Sequence, residues 1–281
     1  MDCCTYAVEF YGDQIIPSTT IIQPQAPVLA LLGDVGLAFT AELRSFLHQQ
    51  AEQFEHVLYL AGNHEFYNNR NGSYHTVLEQ LAWLRQVCDE KPNLHFLEKT
   101  VVQIGAVRIL GTTLWSHVPD SMSQKAEQYL NDYHLSYVEE TPPSTSMRKM
   151  LTRDTNQWHQ ESVSWLEHEI AQAQQPVVVL THHTPSLVGT SNPRYDGNEL
   201  SHCFSTNLTN LLEDPVVRVW ACGHTHYNFH INLSDNNNTK TTSTILLSNQ
   251  RGYPGVAKQL KSYDAKGYVI DLASLELPRH S

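Results

Sequence analysis

Four apolar runs, each stopping abruptly at a small residue followed by polar, metal-competent side chains, constrain this chain more than any other feature. Residues 27–32 (PVLALL) stop at Gly33-Asp34, and residues 57–61 (VLYLA) stop at Gly62-Asn63-His64-Glu65. Residues 177–180 (VVVL) end at Thr181-His182-His183, and residues 216–222 (VVRVWAC) end at Gly223-His224-Thr225-His226. A short run that is apolar without alternation reads as a strand buried on both faces. In α/β folds the loops that follow such strands line the ligand crevice. Glycine at the stop lets the backbone turn sharply beneath a crowded polar site.

Helical spacing fills the intervals. Leu43, Phe46, Leu47, Ala51 and Phe54 recur on one face, with Thr40 placed as the N-cap. Val77, Leu78, Leu81, Leu84 and Cys88 mark a second helix that ends before Lys91-Pro92-Asn93. Residues 154–173 carry a third, with Asp154 as the expected cap and Trp158 and Trp165 as core anchors. Strand-like pieces at 94–97, 101–104 and 107–110 follow the second helix, the last two joined by a Gly105-Ala106 hairpin. Residues 117–150 are polar, contain Pro142-Pro143, and read as a long irregular surface excursion or lid. Residues 234–242 (SDNNNTKTT) read as a hairpin tip, and 245–247 and 268–270 as late strands. The rhythm is α/β, without repeats or a linker, and predicts one domain over residues 1–281.

The residue types at the strand ends define a chemistry. A carboxylate can bridge two cations, neutral imidazoles bind Zn, Fe or Mn, and an amide oxygen suits a hard cation, so the set is an N/O site without thiolate. Two cations about 3.5 to 4 Å apart can clamp a phosphoryl oxygen and activate a water for in-line attack. His64 then stands beside the metals as a proton donor or charge stabiliser, with Glu65 placed to orient it. Taken singly, Gly33-Asp34 is an ordinary turn and Asn63-His64-Glu65 ordinary capping chemistry. The alternate histidines of Gly223-His224-Thr225-His226 have no such structural reason.

Together these motifs resemble the calcineurin-like metallophosphoesterase family, whose signature runs D-x-H, G-D, G-N-H-[DE], H and G-H-x-H. Four of the five are present, and GTTLWSH from Gly111, TPSLVGTSNPRY from Thr184 and SNQRGYPG from Ser248 are similar to a single-domain branch. The resemblance implies an αββα sandwich of two packed mixed β-sheets flanked by helices, with divalent cations (Mn, Fe or Zn) at the strand ends. It further implies that Asp34 bridges two metals, that Asn63, His182 and His224 complete the shell of the second, and that His226 serves the first. His64 would assist the leaving group without a phosphoenzyme. Arg194, Tyr195, Arg251 and Tyr253 would contact substrate.

The first motif is missing. Aligned on Val8-Glu9-Phe10, the D-x-H positions fall on Thr5 and Ala7. Asp2-Cys3-Cys4 imitates it but leaves no room for a preceding strand, Asp13 is another substitute, and a first strand upstream of Met1 is the remaining alternative. One cation is therefore expected to bind tightly. The expected function is hydrolysis of phosphate mono- or diesters on a small or medium-sized substrate. The alternative is a one-metal relative that binds without catalysis or performs a different metal-assisted reaction.

Composition narrows the partners. With 18 Lys and Arg against 29 Asp and Glu, a formal charge of −11, the chain lacks the cations that nucleic-acid binding draws upon. A phosphorylated substrate must be attracted locally, and bound cations are the strongest local positive charges. The five cysteines form no CxxC pair and no disulfide framework, and no apolar run reaches membrane-spanning length, so a cytoplasmic protein is expected.

Overall fold

Every second residue of the buried runs faces a different core, which is why the runs are apolar throughout. In β2 (Val28–Leu32) and β3 (His56–Leu60), Val28, Ala30, Leu32, Leu58 and Leu60 pack into one cluster with Val178, Leu180, Val219 and Ala221. Leu29, Leu31, Val57 and Tyr59 point the other way, against Leu43, Phe46, Leu47, Leu84 and Val87. These come from helices α1 (Ala41–Ala51) and α2 (Val77–Asp89). In the second sheet, Val177, Val179 and Trp220 turn outward onto Leu166 and Ile170 of α5 (Thr152–Ala171). Two sheets thus share a central apolar layer, and helices cover both outer faces.

The structure is a computed structural model that describes residues 2–6, 22–68, 73–140, 146–234, 243–252 and 263–277. Its further strands are β1 (Asp2–Tyr6), β4 (Leu94–Phe96), β5 (Thr100–Ile104), β6 (Val107–Thr112), β7 (Tyr137–Glu139) and β8 (Met147–Lys149). They continue with β9 (Val177–Thr181), β10 (Val217–Ala221), β11 (Phe229–Ser234), β12 (Ser243–Ser248) and β13 (Tyr268–Asp271). Short helices α3 (Asp120–Tyr129), α4 (Asp132–Leu135) and α6 (Thr209–Leu212) complete the order. One sheet runs β13-β1-β2-β3-β4 and the other β11-β12-β10-β9-β6-β5, each parallel at its centre with antiparallel pairing toward an edge. This is the expected αββα arrangement.

Several local expectations change. Thr40 caps α1 as read, accepting from the Leu43 amide at 3.4 Å. Leu78 is 58% exposed, whereas Gln80 is buried, so α2 is rotated from the face its apolar residues suggest. Asp154 is not the cap of α5 but its third residue, its Oδ2 accepting from the Leu151 amide at 2.8 Å while Arg148 grips both carboxylate oxygens at 2.7 Å. The segment 117–150 is not irregular: it forms α3, α4 and the β7–β8 hairpin, with only 141–145, which include Pro142-Pro143, outside the described residues. Its low hydrophobicity hid helices of which α3 buries only Ala126. The tip at 235–242 also lies outside the described residues, between the paired strands β11 and β12.

β1 lies beside β2 in parallel, Cys3 opposite Val28 and Tyr6 opposite Leu31, and occupies the place between β2 and β13. Asp2 therefore sits at the entry end of the strand, roughly 16 Å from the level of Leu32 at about 3.3 Å per residue. Cys4, opposite Leu29, is mid-strand. Neither position can imitate the missing motif at the exit end. Ala7, Asp13 and Tyr253 lie outside the described residues.

Candidate metal centre

The exit ends of β2, β3, β9 and β10 meet where the two sheets abut. The junction needs close backbone approach. A Cβ on Gly62 would come within 2.1 Å of Asp34 Oδ1, and one on Gly33 within 2.4 Å of the Gly62 nitrogen, so neither position accepts a side chain. Asp34, His224 and His226 adopt left-handed φ values of 56°, 70° and 52°. Asp and His are among the residues that tolerate this region, and it turns all three side chains back over the strand ends.

Glu65 does not orient His64. Its buried carboxylate accepts from the amides of Asp34 (2.9 Å), Val35 (2.7 Å) and Gly62 (2.7 Å) and from the Tyr59 hydroxyl (3.1 Å). It ties the two turns together beneath the site. Burial and the neighbouring Asp34 push the Glu65 carboxyl upward. Burial would also raise Asp34, but the imidazoles of His182 and His64 and the His64 amide, 3.0 Å from Oδ1, outweigh it and hold Asp34 low. Asp34 is thus the charged member of the pair.

His182 is fixed in one tautomer. Its Nδ1 lies 2.7 Å from the Leu32 carbonyl, which can only accept, so Nδ1 carries the proton and Nε2 presents a lone pair. That Nε2 lies 3.0 Å from Asn63 Oδ1, 3.1 Å from His224 Nδ1 and 3.4 Å from Asp34 Oδ1. The Asn63 amide is oriented as well, because its Nδ2 donates to Asp132 Oδ1 (2.7 Å) and Tyr67 Oη (2.9 Å). Lone pairs therefore face one another across a space where one nitrogen or oxygen each from Asp34, His182 and His224 lie within 4.8 Å. Asp34 Oδ2 is buried without a hydrogen-bond partner, as is His224 Nε2, which carries the ring proton when Nδ1 turns its lone pair to the cluster. Buried acceptors so arranged repel unless a cation sits among them, and the N/O donor set suits Mn, Fe or Zn.

His64 and His226 flank this cluster. The His64 ring stacks on Tyr67 at 4.5 Å, and its Nε2 lies 3.9 Å from Asp34 Oδ2. The His226 amide donates to Gln250 Oε1 (2.8 Å), and Gln250 Nε2 donates to Ser248 Oγ (2.7 Å) and the Tyr227 carbonyl (3.1 Å). Sequence reasoning missed Gln250, Tyr67 and Asp132 as supports. Only the similarity of the 248–255 stretch pointed at the first of them.

Both His64 and His226 open onto a cavity of about 530 Å³, whose floor also includes Asp34, Asn63 and His224. Its walls carry Tyr129, Leu130, Leu187, Tyr195, Leu200 and Phe204. Arg194, bonded to the Tyr195 hydroxyl at 2.5 Å, is the only Arg or Lys among the described lining residues. Arg251 does not line it.

The sequence model of calcineurin-like phosphoesterases matches residues 12–228. The chain belongs to the calcineurin-like phosphoesterase family. An uncharacterized protein of Acanthamoeba polyphaga mimivirus is 29% identical over 231 residues, covering 80% of this chain and 78% of that one. Among solved structures, the phosphopantetheinyl hydrolase of Mycobacterium tuberculosis superposes with a TM-score of 0.64 at 18% identity over 94% of both chains. That likeness is one of fold. In this phosphoesterase the G-D, G-N-H-E and G-H-T-H motifs fall at the site just described, and the matched span starts beyond β1.

His183 and His224 make the metal-free protein acid-sensitive. Burial pushes both well below the ordinary imidazole value of 6.5, and neighbouring histidines push further. Their rings stack at 4.0 Å, and Ser116 Oγ holds His183 Nδ1 at 2.8 Å. An unfolded chain protonates both near 6.5, whereas the folded chain keeps them neutral, so the folded state binds fewer protons. Stability is full above about 6.5 and falls as pH drops below it, by about 3 kcal/mol for the pair at pH 5.5. Urea unfolding in chelator at pH 7.5 and 5.5 measures this, and His183→Asn should remove about half the difference.

Proposed function

We propose that this calcineurin-like phosphoesterase is a metal-dependent phosphoric ester hydrolase acting on a small or medium-sized phosphorylated organic molecule. The observation that carries the reading is the confrontation of lone pairs among Asp34, Asn63, His182 and His224 at the floor of an open cavity. These four residues would hold one cation, with Asp34 and His226 offering ligands to a second. A bound divalent cation supplies Lewis acidity, polarising a phosphoryl oxygen and lowering the pKa of water.

The chain's own residues supply the remainder. His64 lies beside Asp34 at the cavity floor, where its imidazole can hand a proton to a departing alkoxide. Arg194 offers a guanidinium to a phosphate oxygen or to another anionic group of the substrate. Tyr129, Tyr195, Leu187 and Leu200 present apolar surface to the organic part and exclude water around it. The free, buried thiols of Cys88, Cys203 and Cys222 support a reducing compartment, the cytoplasm. Among the described residues no helix is long and apolar enough to cross a membrane.

The test is metal content per chain together with turnover of an aryl phosphate monoester and diester, before and after chelation. Hydrolysis that disappears with chelator and returns with Mn²⁺ supports the reading. Metal binding without turnover of either ester favours the alternative of a one-metal binding protein, which the missing D-x-H motif keeps in view. His64→Ala separates chemistry from metal retention. Its rate should fall roughly a hundredfold or more with metal content unchanged, and loss of metal instead would make His64 a ligand.

A further inference from the structure

Asn63 differs from the other metal-competent residues because its two ends are chemically opposite while nearly identical in shape. Only the oxygen can bind a cation, and a flipped amide would aim an N–H at it. Something must select the orientation. Two groups do so: Asp132 Oδ1 accepts from Asn63 Nδ2 at 2.7 Å, and Tyr67 donates its hydroxyl to the same Asp132 oxygen at 2.5 Å while its own oxygen lies 2.9 Å from Nδ2. A carboxylate can only accept, so it tolerates Nδ2 and rejects Oδ1.

Asp132 does not belong to the strands that carry the cluster. It opens α4, in the polar excursion between β6 and α5, and it is buried. Its helix is fixed from two sides: Asn68 donates its backbone and side-chain N–H groups to the Leu135 carbonyl at 2.9 and 3.1 Å, and Tyr133 Oη meets Thr155 Oγ1 at 3.2 Å. The three residues just before it, Tyr129, Leu130 and Asn131, line the wall of the cavity.

We infer that Asp132 is a positioning residue: through Nδ2 it locks the Asn63 amide with its oxygen toward the cation. The same short segment carries the substrate wall, so metal affinity and substrate fit share one rigid support. The inference rests on the metal reading of the centre.

The experiment is a double-mutant cycle read as the dissociation constant of Mn²⁺ by electron paramagnetic resonance, a measurement that needs no turnover. Asp132→Ala should weaken Mn²⁺ binding about 10- to 100-fold, the range for loss of an outer partner that orients a ligand. Asn63→Asp has an oxygen at both ends and needs no orienting partner. In that background Asp132→Ala should cost nothing, and should strengthen binding by removing a carboxylate facing another. Asp132→Asn keeps the side-chain volume and can present either an oxygen or an N–H to Asn63. It should give about a tenfold loss and covers the case in which the alanine variant does not fold. Equal losses with Asn63 intact and with the Asn63→Asp substitution in place, or no loss in either background, would overturn the inference. A wild-type chain that binds no Mn²⁺ would instead overturn the metal reading itself.

Discussion

Asp34→Asn should leave a chain that folds but no longer holds its cation. Asparagine suits the left-handed backbone at φ 56° and keeps an oxygen for the His64 amide. What it loses is the charge. A neutral amide in place of the only carboxylate of the four-residue set should weaken Mn²⁺ or Zn²⁺ binding by more than about 100-fold, the upper range for loss of an outer partner. Hydrolysis should fall with it. The metal-free protein should not gain stability, because the imidazoles and the His64 amide that hold Asp34 low favour its ionised form in the folded state and the neutral amide forgoes that interaction. Calorimetric titration with metal and urea unfolding in chelator read the two effects separately. A variant that kept both metal and turnover would remove Asp34 from the centre.

The second large effect concerns the missing D-x-H. With only Asp34 and His226 available from the matched motifs, the first cation position should fill weakly, and the purified protein should hold close to one tightly bound metal per chain. Turnover should then rise steeply with added millimolar Mn²⁺. Restoring the motif by Thr5→Asp with Ala7→His should add a second tightly held cation and raise turnover at least about tenfold, a gain near 1.4 kcal/mol in transition-state stabilisation. Position 5 is suited to the change, since Thr5 lies near the exit end of β1, opposite Ala30 of β2. Elemental analysis after gel filtration gives the stoichiometry. Two tight metals in the unaltered chain would show that an unrecognised ligand completes the first position.

The sheets and the family were legible because they are written in residue types at fixed places: apolar runs buried on both faces, then Gly, Asp, Asn or His where each run stops. The support beneath the centre was not. Glu65 follows His64 directly, and no spacing argument says that its carboxylate turns away to gather the amides of Asp34, Val35 and Gly62. Asp132 is 69 positions from Asn63, in a segment too polar to announce the helices that hold it. Leu78 misled for a related reason, since propensity and pattern describe a helix but not the rotation that packing finally imposes on it. The roles assigned to Asp34, Asn63, His64, His182, His224 and His226 remain those of the proposed function. What the structure adds is the placement of five of them at one cavity floor, with His182 buried against them.

That floor also has a place in time. His182 is 150 positions from the Leu32 carbonyl that fixes its tautomer, and 119 from Asn63, while the loop of His226 waits for Gln250 before it is held. Contacts of such separation close late, after both sheets have docked. A chain emerging from the ribosome therefore presents imidazoles and a carboxylate singly for most of its synthesis, with no assembled chelate until nearly its whole length is out. Cation capture by the proposed centre is then expected late in synthesis, once the segments carrying Asp34, Asn63, His182 and His224 are all out.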